Sequence, residues 1–234
     1  MTVVSKPIIS SARDVPELHS GDRMTREEFH RIYEQMPENF KAELIGGIVY
    51  VASPLKLPHG RNHLPLATLI YLYKAGTPGV DAGDNATVEL GDEDEPQPDL
   101  FVRILPEYGG QSGTSPDEYV AGAPELIVEI AHSSRSIDLH RKRESYERHG
   151  VLEYLVFSIK DRQFRWFDLR GGQELSPDPD GVIRVRTFPG LWIDVAAVLA
   201  DDATKLVNVL NQGLASPEHV AFVNRLAAAR AATK

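Results

Sequence analysis

Three acidic side chains and one lysine carry the chemistry that this sequence could do. In Pro98-Asp99-Leu100-Phe101-Val102-Arg103-Ile104, the side chains of an extended strand alternate between its two faces. Leu100, Val102 and Ile104 then share one face, and Asp99 shares the other with Phe101 and Arg103. The same alternation in 125–131 groups Leu126, Val128 and Ile130 against Glu125, Ile127, Glu129 and Ala131. Glu129 sits among apolar neighbours, so burial is expected, and a buried carboxylate is costly unless it is paired or bound to metal. Glu43, just before Leu44-Ile45, is a third candidate, although its spacing alone does not bring it to the other two. Three carboxylates on neighbouring strands would form a hard oxygen site suited to Mg²⁺ or Mn²⁺.

The segment from Arg135 to His149 supplies the complementary charge. Arg135, Arg141, Lys142, Arg143 and Arg148 outnumber Asp138, Glu144 and Glu147 there. Asp138, Lys142 and Tyr146 follow at intervals of four and line one face of a helix. A lysine on that face could reach the strand carboxylates, supply positive charge and orient a water. Plainer readings stand beside this one. Asp138 and Lys142 could be a surface ion pair, worth ~0.3–0.5 kcal/mol; Glu43 could be a solvated strand end, and Tyr146 reads as packing. His59 and His63 offer a pair at helical spacing, but neither the acidic base nor the third ligand of a zinc hydrolase is evident nearby.

Several elements must position these groups. Thr25-Arg26-Glu27-Glu28 fits a capping box that opens a helix, which Pro37 ends. Residues 42–45, Gly46-Gly47 and 48–52 read as a hairpin. A buried helix is expected over about 60–75, with Pro65 in its first turn. Asp92-Glu93-Asp94-Glu95 reads as a solvated acidic loop, after a short strand near 86–90. Strands are expected at 98–105 and 126–131, then a helix over 137–149 stopped by Gly150. A second hairpin (153–159 and 163–169), a strand at 182–188, and a helical tail from Trp192 that breaks near 213–217 complete an α/β or α+β mixture.

Composition narrows the classes. The 234 residues carry a net charge of −9 and no Cys, which excludes a disulfide scaffold, a thiol nucleophile and Cys-ligated metal. No apolar run approaches the ~20 residues of a membrane-spanning helix, and residues 1–20 lack the apolar stretch of a signal peptide. A cytoplasmic protein with no membrane partner is the expectation. The acidic balance argues against unspecific coating of nucleic acid, without excluding a local site where bound metal attracts phosphate.

At these residues the sequence resembles the Uma-two family of restriction endonucleases, a branch of the PD-(D/E)XK nuclease superfamily. The resemblance spans about 24–199. It runs through 25–29, Glu43-Leu44-Ile45-Gly46-Gly47, Ser53-Pro54 with His59, Pro98-Asp99, and Pro124 to Ile130. It continues through Asp138 to Lys142, Tyr146, Gly150-Val151, Glu153-Tyr154 and Phe188-Pro189-Gly190-Leu191. The ordered series is specific, whereas no single short motif in it is. The resemblance implies a mixed central sheet flanked by helices, with β-hairpins and a C-terminal helical tail. With residues 1–22 showing no sustained period, the chain is expected to divide into a flexible arm (1–22), a nuclease-like domain (23–200) and a helical extension (201–234). The resemblance also implies Mg²⁺, or Mn²⁺, held by Asp99 and Glu129 with Glu43 and the Ile130 carbonyl as further ligands. The superfamily lysine would stand at position 131, which is Ala131 here, so the resemblance moves its role to Lys142.

The implied activity is hydrolysis of DNA phosphodiesters, with Glu43, Asp99, Glu129 and Lys142 as the catalytic set. His59 matches a family position near the site, and Arg135, Arg141 and Arg143 are the expected phosphate contacts, with solvated surface charge as the equal alternative. Two-strand cleavage would favour a homodimer, to which the tail residues Val220, Phe222, Val223 and Leu226 could contribute. The alternatives are an inactive nuclease fold that binds nucleic acid or protein, and a phosphoesterase acting on something other than DNA.

Overall fold

A computed structural model describes residues 17–131 and 137–233. Most of the expected arm, and Arg135, lie outside the described residues. The first helix, α1 (Arg26–Tyr33), starts where the capping box places it: Thr25 Oγ1 accepts the N–H of Glu28, and Phe29 and Ile32 are buried. The hairpin β1 (Ala42–Ile45) and β2 (Ile48–Val51) turns on Gly46 and Gly47, both at positive φ. A two-residue hairpin turn of type I′ needs that conformation at both positions, and glycine adopts it without strain. Helix α2 (Leu57–Gly76) begins earlier than expected. Pro58, not Pro65, occupies its first turn, and Pro65 lies inside the helix, where it removes one backbone hydrogen bond.

A central sheet follows, built from β3 (Val80–Asp84), β5 (Leu100–Ile104), β8 (Leu126–Ala131), β9 (Glu153–Ser158), β10 (Gln163–Asp168) and β11 (Gln173–Leu175). Their spatial order is β11-β10-β9-β8-β5-β3. Within this sheet, among the described residues, β8 and β9 are the only parallel neighbours. The connection between them is therefore a crossover, made in part by a π-helical turn (Ile137–Lys142) that continues as α3 (Arg143–His149) and ends at Gly150 in the left-handed conformation. A small sheet of β4 (Val88–Glu89), β6 (Gly113–Thr114) and β7 (Val120–Ala121) lies apart. So does the pair β12 (Val182–Arg184) and β13 (Trp192–Asp194), before α4 (Val195–Ala200), α5 (Ala203–Leu214) and α6 (Pro217–Ala232).

The two faces of β8 separate as alternation requires. Leu126, Val128 and Ile130 join the larger core with Leu66, Leu69 and Tyr73 of α2 and Leu206, Leu210, Phe222 and Leu226 of α5 and α6. Ile127 and Ala131 join a second core with Phe101, Tyr146, Tyr154 and Phe167. Glu129 points into that second layer. The tail residues Phe222 and Leu226, considered above for dimer contacts, are spent inside this chain's own core.

Three expectations are corrected. Residues 92–95 are a solvated loop only in their first half: Asp92 and Glu93 are exposed, whereas Asp94 and Glu95 are buried. Glu95 pairs with Leu44 through both backbone groups, and Asp94 Oδ1 accepts the N–H of Gly46 at 2.7 Å. The segment is thus laid along β1, and protein donors replace the water lost. The stretch 80–84, for which no strand was expected, is an edge strand. Trp192 to Asp194 is strand, not helix; the helix begins one residue later, with Asp194 accepting the Ala197 N–H at 2.7 Å as its cap.

Candidate active site

The site opens where two strands part. Pairing between β5 and β8 ends at Leu100↔Val128, while β8 continues to Ala131. The amide of Ile130 therefore turns to a side chain: Asp99 Oδ2 accepts it at 2.7 Å. Oδ1 of Asp99 lies 3.1 Å from His59 Nε2, and His63 Nε2 lies 3.2 Å from the Asp99 carbonyl oxygen. Both histidines come from the first half of α2, one turn apart, with rings stacked at 5.9 Å. Burial alone would push the Asp99 carboxyl up, but the His59 hydrogen bond, the Ile130 N–H and the charges of His59 and Lys142 outweigh it and hold it below the usual carboxylate value. In return, the hydrogen bond to Asp99 raises His59.

Glu129 stands beside this pair, with Oε2 3.5 Å from the Asp99 N–H. Its other oxygen accepts from Lys142 Nζ at 2.9 Å and from the Tyr146 hydroxyl at 3.0 Å. The same ammonium reaches Glu43 Oε1 at 2.8 Å and Asp138 Oδ1 at 3.9 Å. The face expected for Asp138, Lys142 and Tyr146 thus exists, and the π-helical turn carries its first two members. Such turns recur at functional sites. Lys142 and Glu129 are each about 5% exposed. Burial disfavours a charged ammonium, yet the surrounding carboxylates win and keep Lys142 protonated well above its ordinary range. Burial likewise raises Glu129 well above an ordinary glutamate, Lys142 pulling it back while Asp99, Asp138 and Glu43 add to the rise.

The sequence reading placed Glu43, Asp99, Glu129 and Lys142 in one set, and in the structure these four are neighbours. Glu43 touches Lys142 rather than Asp99, and also accepts the backbone N–H of Gln97 at 2.7 Å. Ile130 meets Asp99 through its N–H. Arg141 is exposed on the same segment. Arg143 is engaged elsewhere, stacked 4.9 Å over the Phe167 ring. Two contributors were missed. Tyr146, read as packing, donates to Glu129, and its place four residues after Lys142 was the available signal. Gln97, which fixes Glu43 through its backbone, left none.

Among the described residues, no three His, Asp or Glu side chains are arranged to hold a metal ion. The donor chemistry nonetheless fits a hard cation. Asp99 and Glu129 are neighbouring carboxylates, Glu129 Oε2 lying 3.5 Å from the Asp99 N–H, and Mg²⁺ is commonly held by one or two carboxylates with waters and substrate phosphate completing its shell. No helix among the described residues is long and apolar enough to cross a membrane.

The architecture is similar to that of a solved protein from Anabaena variabilis, described as a "putative nuclease belonging to DUF820". The match has a TM-score of 0.54 at 14% identity and covers 77% of this chain and 97% of that one. At that identity the likeness concerns the fold. No curated protein sequence matches the chain. A family model described as "Putative restriction endonuclease" matches residues 26–196. Matched over most of its length, the chain belongs to the Uma2 family.

Proposed function

We propose that this protein is a metal-dependent endonuclease that hydrolyses DNA phosphodiester bonds at the cluster of Asp99, Glu129, Lys142 and Glu43. The observation that carries this reading is the buried ammonium of Lys142, within 2.9 Å of the carboxylates of Glu43 and Glu129, with the Asp99 N–H 3.5 Å from Glu129 Oε2. An isolated structural ion pair needs one acid per base; two acids on one lysine, with Asp99 beside Glu129, gather negative charge that a cation would neutralise.

Asp99 and Glu129 would hold Mg²⁺ or Mn²⁺, which when bound would polarise the phosphoryl oxygens and acidify a coordinated water. Asp99 is fit to bind because it stays ionised: His59 and the Ile130 amide hold it so. Lys142 keeps its proton and offers positive charge where the transferring phosphoryl group accumulates negative charge. Glu43 and Asp138 keep the ammonium charged and limit its swing. His59, nearly buried against Asp99, orients that carboxylate and shields it from bulk water. Exposed Arg141, on the segment that carries Lys142, would meet the phosphate backbone, a contact that positions substrate without reading its sequence.

The test is a substrate panel. Plasmid DNA, structured RNA and bis-p-nitrophenyl phosphate are incubated with the full chain in Mg²⁺ or Mn²⁺, with EDTA as control. Metal-dependent DNA cleavage is expected. Binding of DNA without cleavage under every metal would instead assign a nuclease fold used as a binding module, and turnover of the small diester alone would assign a phosphoesterase.

A further inference from the structure

Glu129 is held asymmetrically. Oε1 receives two strong donors, the Lys142 ammonium at 2.9 Å and the Tyr146 hydroxyl at 3.0 Å, while among the described residues Oε2 meets the Asp99 N–H at 3.5 Å. Both donors come from one continuous helical segment, four residues apart. We propose that Tyr146 is a positioning residue: by occupying Oε1 together with Lys142 it fixes the rotation of the Glu129 carboxylate and keeps Oε2 turned toward Asp99 for a divalent cation.

The phenol is itself fixed. Tyr146 is fully buried, and its ring meets that of Tyr154 edge-on at 5.1 Å. The Tyr154 ring stacks on Phe167, and its hydroxyl donates to the Asp138 carbonyl at 3.0 Å, on the π-helical turn that bears Lys142. Burial, with Glu129 and Glu43 nearby, raises the Tyr146 hydroxyl well above its ordinary range, so it remains a donor. Without it, Oε1 would keep the Lys142 ammonium as its one donor among the described residues. The carboxylate could then rotate, and Lys142 could cover either oxygen, including the one that faces Asp99. Partners behind a metal ligand typically change metal affinity or activity ~10–100-fold when removed.

This inference rests on the metal-dependent reading of the site. The experiment uses Tyr146→Phe, which removes the hydroxyl and keeps the ring. Mn²⁺ affinity is measured by calorimetry on wild type and variant, with thermal unfolding and plasmid cleavage over a Mn²⁺ titration on the same samples. The expected result is cooperative unfolding like wild type, Mn²⁺ binding weakened ~10–100-fold, and a cleavage rate restored by excess Mn²⁺. Unchanged Mn²⁺ affinity would overturn the positioning role while leaving the nuclease reading intact. A variant that no longer unfolds cooperatively would make Tyr146 a packing residue and overturn it too. Wild type that binds no Mn²⁺ would overturn the site reading and the inference together.

Discussion

Replacing Lys142 with Met removes a positive charge shared by Glu43 and Glu129 while keeping an unbranched chain of similar length. At an effective dielectric constant near 20, each contact of 2.8 or 2.9 Å represents ~6 kcal/mol of gross attraction. Desolvation of the buried ions consumes much of that, and removing one partner of such a pair costs a net ~3–5 kcal/mol. For a chain of this size each kcal/mol moves the melting temperature ~2–4 °C, so a fall of ~6–20 °C is expected near neutral pH. The deficit is pH-dependent. Glu129 already titrates above its ordinary value of 4.5 because it is buried, and loss of Lys142 raises it further. Between the unfolded value and that raised value the folded protein binds more protons, so stability rises as pH falls through the window. The variant's deficit should be full at about pH 7.5 and should narrow toward about pH 5. Thermal unfolding in EDTA at both values measures it. A variant as stable as wild type at neutral pH, or a deficit that does not narrow in acid, would refute the buried-pair reasoning.

Other outcomes follow from the same structure. His30 is raised above 6.5: burial lowers it, but the Glu95 hydrogen bond and the charges of Glu95, Glu34 and Glu89 outweigh that. Its stabilisation is full below 6.5 and lost as pH rises through the folded value, so wild type should lose more urea resistance than His30→Gln between about pH 6 and about pH 8.5. Phe222→Ala should cost ~3–5 kcal/mol in urea unfolding, because the ring sits in the main core; a cost below ~1 kcal/mol would mean the tail folds apart from the sheet. Thr25→Ala should cost ~1 kcal/mol by removing the α1 cap, read from the shift in urea midpoint.

Much of the site was legible because strands impose a strict period. Once 126–131 was read as a strand, Glu129 had to share a face with Ile127 and Ala131, and it does. The helix after it was equally legible from spacing, and Gly150 ended it for the expected reason. What local sequence could not carry is contact across distance. Nothing in Asp92-Glu93-Asp94-Glu95 announces that Leu44 and Gly46, some fifty residues earlier, will pair with its second half. Val80 to Asp84 holds Gly and two Asp, and only its ladder with β5 makes it a strand. Trp192-Ile193-Asp194 is too short for its periodicity to separate strand from helix. The role of Tyr146 was hidden because a buried aromatic is usually packing; only the position of its hydroxyl reveals the other use.

The most direct measurement is conversion of supercoiled plasmid by wild type and Asp99→Asn in Mg²⁺, each compared with EDTA. Asn keeps the shape and a hydrogen-bond acceptor for the Ile130 amide but removes the negative charge next to Glu129. Nicked or linear product from wild type in Mg²⁺, none in EDTA and none from a folded Asp99→Asn variant is the expected result. Equal cleavage by both proteins, or cleavage that EDTA leaves untouched, would contradict the assignment of Asp99, Glu129 and Lys142 as a metal-dependent nuclease site.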